Sequence, residues 1–330
     1  MNKKVISSLT IVVALVIGFF VYQNITAVKV QEVNVSAQQS KINEYAHPES
    51  FITPEELKAM QEDENQDVVA IGVLKSKDEA IPGSFVLWRP DYQESKEVPY
   101  GGVAAPKEDM EKLLSDFGVK EDTTIVTYAA NDQHDATRLL WQLKVLGHED
   151  VRLLDGGLNV WIGAGYETAA AAEVGDRPKT DYVATNFNEE ALNADLEEVV
   201  EAVENTEDYY LLDTRSESEE TGSDTKQGAF GPGKIEGSDW IEYSQATAED
   251  GTLKSKAELE ELYADVLKSD KEIICYCQSG VRSAYTWFVL TQAIGYDKVQ
   301  NYDGSWIEWS YNAYEKQDPA VAEHTENGKF

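Results

Sequence analysis

An internal repeat sets what this chain can fold into. Ile125-Val126-Thr127-Tyr128 resembles Ile273-Ile274-Cys275-Tyr276 at an offset of 148 residues. Without a gap, the same offset relates Gly147 to Gly295, Val151 to Val299, Asp155-Gly156 to Asp303-Gly304, and Trp161 to Trp309. Each copy reads as strand, loop, helix and short strand, then an Asp-Gly turn running on to a Trp. Short apolar strands alternating with amphipathic helices predict an α/β layer, a mainly parallel sheet flanked by helices. A period of about 150 residues is too long for a solenoid unit, so the chain is a duplicated domain. Its 330 residues, 42% of them apolar, suffice for two cores.

The copies read as residues 51–168 and 181–318, joined by a linker at 169–180 that contains Ala169 to Ala172 and Asp176-Arg177-Pro178. Residues 319–330 read as a tail. In the first copy, Thr53-Pro54-Glu55-Glu56 predicts a capped helix start, with Thr53 as N-cap and Glu56 closing a capping box. Val68 to Val73 predicts a buried strand, and 106–117 a helix.

Ahead of the repeat, Lys3 and Lys4 precede an apolar run from Val5 to Tyr22. A positive end followed by such a run targets a chain to a membrane, and about 18 residues just span one. Residues 1–22 therefore read as a signal-anchor, or as a signal peptide cleaved near Val35-Ser36-Ala37. No Cys follows the run, which excludes a lipoprotein anchor. Residues 23–50 are polar and aperiodic and read as a tether. In either case the globular part is expected outside the cytoplasm. With 28 basic against 61 acidic residues the net charge is −33, which repels phosphate backbones and makes no nucleic-acid partner the expectation.

An exported chain with two cysteines invites a disulfide, but Cys275 and Cys277 stand at i and i+2 of one apolar strand. Their Cα atoms would lie about 6.5–7 Å apart along extended backbone, beyond the usual span of the bond. A free thiol is therefore kept. Cys275, inside the strand, reads as a small buried hydrophobe. Cys277 opens the loop Cys277-Gln278-Ser279-Gly280-Val281-Arg282, and a helix follows at once. Backbone N–H groups of such a loop, a helix N-terminus and the Arg282 charge all favour thiolate, which makes Cys277 the candidate nucleophile.

That loop resembles the active-site loop of rhodaneses, the thiosulfate and 3-mercaptopyruvate sulfurtransferases. Leu211-Leu212-Asp213-Thr214-Arg215 is similar to the family's strand-end Asp-x-Arg motif, and Gly233-Lys234-Ile235-Glu236-Gly237-Ser238 to its Gly-His-Ile-Pro-Gly-Ala signature. Asn301-Tyr302-Asp303-Gly304-Ser305-Trp306 resembles its closing Asp-Gly-Gly region. The resemblance implies two tandem rhodanese-like domains after the N-terminal membrane segment. It implies ping-pong sulfur transfer through a persulfide on Cys277, from thiosulfate or a related donor to cyanide or a thiol, with no cofactor and no metal. Gln278, Ser279, Gly280, Val281 and Arg282 would hold substrate, with Arg215 and Lys234 beside them. Arg215 has a second reading, in which it only pins a loop to Asp213.

The first copy departs from the pattern. Ala129 stands where Cys277 would be, Ala130-Asn131-Asp132-Gln133-His134-Asp135 replaces the cradle, and Ile71-Gly72-Val73 replaces Asp-x-Arg. That copy is expected to close one side of the pocket, with His134 a surface or structural residue. In the second copy, Glu219 stands where an arginine often lies in the family, Lys234 replaces a histidine, and Gln278 departs from the usual Arg or Gly. Without that arginine clamp, thiosulfate or a persulfide is favoured over mercaptopyruvate. A Cys-based phosphatase needs Cys-x5-Arg, whereas this loop is Cys-x4-Arg. The remaining alternative is a non-enzymatic extracytoplasmic binding or sensor module.

Overall fold

The protein is described here as a computed structural model covering residues 35–93, 98–130 and 133–326. The expected membrane segment lies outside the described residues. Among those described, no helix is long and apolar enough to cross a membrane.

The chain begins with α1 (Val35–Ile42), β1 (Phe51–Ile52), α2 (Pro54–Glu62), β2 (Val68–Val73), β3 (Phe85–Leu87) and α3 (Lys107–Asp116). It continues with β4 (Thr124–Ala129), α4 (His134–Val145), β5 (Val151–Leu154) and α5 (Gly157–Gly163). The capping box at Thr53 forms as expected, Glu56 N–H donating to Thr53 Oγ1 and Glu56 Oε2 accepting from Thr53 N–H. The second copy contributes β6 (Asn193–Ala194), α6 (Leu196–Glu204), β7 (Tyr209–Asp213), α7 (Glu217–Glu220), β8 (Lys234–Ile235) and β9 (Asp239–Trp240). Then come α8 (Lys256–Leu262), α9 (Ala264–Ser269), β10 (Glu272–Tyr276), α10 (Val281–Phe288), β11 (Val299–Tyr302), α11 (Ser305–Ser310), α12 (Pro319–Ala322) and β12 (Thr325–Glu326).

The duplication is visible in the sheets. The first runs β1-β5-β4-β2-β3, the second β6-β11-β10-β7-β9, and every neighbouring pair is parallel. Strands buried on both faces must be apolar along their length, which is why β4 and β10 read as continuous runs. Helices α4 and α10, each following the central strand of its copy, pack across the seam and share one buried cluster.

Two segments fold further than the sequence suggested. Residues 35–50, within the expected tether, form α1 and a short turn, with Ile42 and Tyr45 buried in the shared core. Tyr45 packs on Phe51 with its ring tilted at 4.7 Å, and Phe51 meets Phe288 edge-on at 5.0 Å, so this segment bridges both copies. Residues 319–326, within the expected tail, form α12 and pair β12 antiparallel with β8, burying Val321. The 3.6-residue pattern was too short in both places to read.

Candidate active site

β10 runs parallel between β7 and β11 and ends at Tyr276, whose register partner on β7 is Asp213. The next residue, Cys277, starts the loop at the carboxyl end of the sheet, where parallel α/β sheets place their ligands. Gly280 ends the loop in the left-handed region (φ 71°) as the N-cap of α10. A side chain there would meet Arg138 Nη1 and Asp303 O at 2.7 Å, so only glycine fits.

The loop is anchored from three directions. Cys277 and Gln278 carbonyls accept from Trp306 and Ile307 N–H at the start of α11. The Gly280 carbonyl accepts from Asn301 Nδ2 at 3.1 Å and from Arg138 Nη1 at 3.3 Å. Ser305 Oγ accepts the N–H of Cys277 (3.1 Å) and of Gly280 (2.9 Å) while donating to Tyr302 O. Ser305 does this from a left-handed backbone (φ 51°) that a non-glycine residue adopts at a cost.

Cys277 Sγ is buried and lies 3.5 Å from Ser283 Oγ, one turn into α10. Burial opposes ionisation of the thiol. The Arg282 charge, the Ser283 hydroxyl and main-chain N–H groups of Ser283 and Ser279 outweigh it and bring the thiol below its ordinary value. Cys275 shows the contrast: burial, reinforced by the neighbouring Cys277, pushes its thiol far up. Both cysteines are free.

The predicted cradle is therefore redistributed. Ser279 turns its N–H to the sulfur, whereas the N–H groups of Cys277 and Gly280 are spent on Ser305. Val281 is buried and opens α10. Gln278 holds α11 through its carbonyl, and its amide Nε2 has no partner among the described residues. Arg282 forks onto Glu219, Nη1 at 2.7 Å from Oε2 and Nη2 at 2.8 Å from Oε1. Glu219 is thus a site residue in its own right.

Arg215 is engaged by Asp213. Its side chain, 2% exposed, forks onto Asp213, donates to Gly233 O and lies over Trp306. Lys234 pairs with Glu220 at 2.8 Å and lies 3.9 Å from Glu326. The rest of its motif is a clamp: Ile235 N–H donates to Tyr276 Oη, Ser238 Oγ lies 2.9 Å from it, and Tyr276 Oη donates to Asp213. In the first copy, Ile81 N–H and Ser84 Oγ hold Tyr128 Oη in the same way. Gly72 stands in for Asp213 there, and a side chain on it would strike Tyr128 at 2.6 Å.

The first copy closes one side of the site. Gly102 (φ 102°) lies so close to Ser279 that an added Cβ would be 2.6 Å from the serine Cβ. Ala104 N–H donates to Asp303 Oδ2 at 2.8 Å, and fully buried Arg138 is ion-paired with Asp303. His134 lies at the seam, its ring edge-on to Tyr243 at 5.1 Å and Nε2 within 3.2 Å of Arg89 Nη2. Among the described residues, no group of three or more His, Cys, Asp or Glu is placed to hold a metal ion.

Sequence reasoning missed Ser283, Ser305, Glu219, Arg138 and Arg89. Ser283 lies six residues after Cys277, and only the turn of the loop into α10 brings its hydroxyl to the sulfur. Arg89 and Arg138 come near only through the packing of the two copies.

A duplicated parallel α/β protein with one activated thiol at the carboxyl end of its second sheet defines a class of cysteine-dependent group-transfer proteins. Comparison with known proteins specifies it. The Rhodanese-like domain matches this chain twice, over residues 53–164 and 195–312. The sulfur carrier protein TtuD of Thermus thermophilus is 32% identical over 277 residues, which are 80% of this chain and 95% of that one. The thiosulfate sulfurtransferase of Corynebacterium glutamicum is 31% identical over 281 residues, 81% of this chain and 89% of that one. In fold, the crystal structure of the Tum1 protein from Saccharomyces cerevisiae superposes with a TM-score of 0.72 at 23% identity, covering 85% of this chain and 99% of that one. The chain belongs to the tandem rhodanese family, and by that membership is a sulfurtransferase.

Proposed function

We propose that the protein moves sulfane sulfur from thiosulfate, or a closely related donor, to a thiophilic acceptor through a persulfide on Cys277. The observation that carries the reading is the thiol itself: buried, yet drawn toward thiolate by Arg282, Ser283 and two main-chain N–H groups. The thiolate attacks the outer sulfur of the donor, and the S–S bond breaks with its electron pair leaving on sulfite. Ser279 and Ser283 N–H then stabilise the charge carried by the new terminal sulfur. Cyanide or a thiolate takes that sulfur in turn and returns Cys277 as thiolate.

Mercaptopyruvate is disfavoured on a specific ground. Glu219 occupies the place of a carboxylate-binding arginine and also engages Arg282. The names of the relatives, a thiosulfate sulfurtransferase and a sulfur carrier, agree with a sulfane donor. Thiocyanate formation from thiosulfate and cyanide, measured beside Cys277→Ser, tests the reading. Turnover abolished in the variant supports it, and absence of turnover in the parent chain with thiosulfate counts against it.

We further propose that the catalytic unit works outside the cytoplasm, tethered by the N-terminal apolar run, on the grounds of Lys3, Lys4 and Val5 to Tyr22. Protease accessibility of residues 35–326 in intact cells is the check. Protection from added protease contradicts it.

A further inference from the structure

Every cation that the second copy brings to the site already meets a carboxylate. Arg282 is taken end-on by Glu219, Arg215 by Asp213, and Lys234 by Glu220. A donor that arrives as an anion therefore finds its charge poorly answered by the domain that holds the thiol. The first copy offers a different guanidinium. Arg89 follows β3 in a short turn at the carboxyl edge of the first sheet, the edge that faces the catalytic loop.

Its head is aimed rather than consumed. Nε donates to Asp135 Oδ1 at 2.7 Å, Nη2 lies 3.2 Å from His134 Nε2, and the guanidinium lies over the Trp88 ring at 5.4 Å. Nη1 makes no hydrogen bond among the described residues, and the side chain keeps 35% of its surface exposed. From His134 the contact runs on to Tyr243 of the second copy, and from Tyr243 to Tyr285, one helical turn beyond Arg282. Arg89 thus stands across the seam from the start of α10. The Cys277 thiolate reaches it electrostatically: burial works against its charge, but Asp135, with smaller help from Tyr92 and Cys277, more than restores it.

We propose that Arg89, supplied by the thiol-less copy, is the specificity-determining residue that grips the compact anionic end of the sulfur donor, a sulfonate-like group, through Nη1. The assignment rests on the sulfur-transfer reading for the identity of the donor. The gripping of an anion beside Cys277 can be measured without it. On this account the first domain acts as more than a lid. It selects donors by charge, while the second domain supplies the thiol and the persulfide cradle.

The test compares alkylation of Cys277 by iodoacetate, an anion, and iodoacetamide, its neutral analogue, in the full chain and in Arg89→Gln. The expected result is a fall of about tenfold in the iodoacetate-to-iodoacetamide rate ratio, the size of one lost charged hydrogen bond. The iodoacetamide rate falls much less than the iodoacetate rate, which shows a folded protein whose thiol still reacts. With thiosulfate, KM rises while kcat changes little. Because Arg89→Gln also leaves Asp135 unpaired, the double variant Arg89→Gln, Asp135→Asn is measured beside it. A ratio that stays low in the double variant supports the proposal. A ratio restored there assigns the effect to the bared carboxylate and overturns it, as does an unchanged ratio in Arg89→Gln. Should the single variant unfold, Arg89→Lys and the double variant give the same comparison. Failure of thiosulfate to load Cys277 in the parent chain would sink the sulfur-transfer reading and leave the alkylation ratio to decide this one.

Discussion

Glu219 meets Arg282 end to end, with both guanidinium nitrogens within 2.8 Å of its carboxylate oxygens and the carboxyl almost wholly buried. Arg282 is also the charge that favours the Cys277 thiolate, so the glutamate and the thiol share one guanidinium.

Glu219→Gln keeps the shape and removes the negative charge. Arg282 then acts on Cys277 alone, and the midpoint of the alkylation-rate profile moves to lower pH. Breaking a buried pair from one side costs about 3 kcal/mol of stability. Burial opposes the Glu219 charge, but its hydrogen bonds and attraction to Arg282, with Ser216 and Arg215 behind, hold its carboxyl at about 2 against an ordinary 4.5. A carboxyl lowered by folding adds stability above its unfolded value, and that stability is lost as pH falls through the folded one. Denaturant titrations between about pH 4.5 and 2 therefore show a shallower pH slope in the variant than in the parent. An unmoved alkylation midpoint contradicts the role given to the pair.

Asp155, in the Asp-Gly turn of the first copy, behaves in the opposite sense. It is fully buried, Leu253 N–H donates to its Oδ1, and Lys41 of α1 lies 3.9 Å from Oδ2. Burial raises its carboxyl to about 6, with Lys41 and the Leu253 N–H offsetting part of the effect. A raised carboxyl favours the folded state below its unfolded value and penalises it as pH climbs through the folded one. Asp155→Asn therefore gains stability relative to the parent as pH rises from 3.8 to about 6. Two stability curves running parallel over that window contradict the assignment.

Ser305 holds two N–H groups of the catalytic loop on one hydroxyl. Ser305→Gly relieves the left-handed backbone and Ser305→Ala retains its strain, yet both lose the acceptor. Each is expected to cost about 1–3 kcal/mol and to slow persulfide formation. If Ser305→Gly retains full stability and rate, the hydroxyl is dispensable.

On the proposed mechanism Cys275, buried two residues before Cys277, takes no part in the chemistry. Cys275→Ala is expected to cost about 1 kcal/mol through the small cavity it leaves. Thiocyanate formation per folded molecule stays within a factor of about two, since Cys277 keeps every contact. A loss comparable to that of Cys277→Ser makes the second thiol a participant.

The repeat, both central strands and the Thr53 capping box were legible because each is local: a period, a run of apolar residues, a cap. The fate of the charged residues was not. Arg215 and Lys234 look alike in sequence whether they face substrate or a carboxylate, and Glu219 reads as a lost arginine rather than a partner found. Those outcomes depend on side-chain pairing across loops. Arg138 and Arg89 depend on how the two copies meet, which no local pattern encodes. Residues 35–50 look like a tether since polar Gln38 and Lys41 hide a role at the seam, donating to Asp155 O and to Thr252 and Leu253.

The most direct test of the central claim is intact-mass analysis of the protein after brief exposure to thiosulfate, with released sulfite measured in the same sample. The account predicts one added sulfur atom per chain, located on Cys277, an equal amount of sulfite, and loss of that sulfur as thiocyanate when cyanide is added. An unchanged mass with no sulfite released contradicts it, as does sulfur added equally to the Cys277→Ser variant.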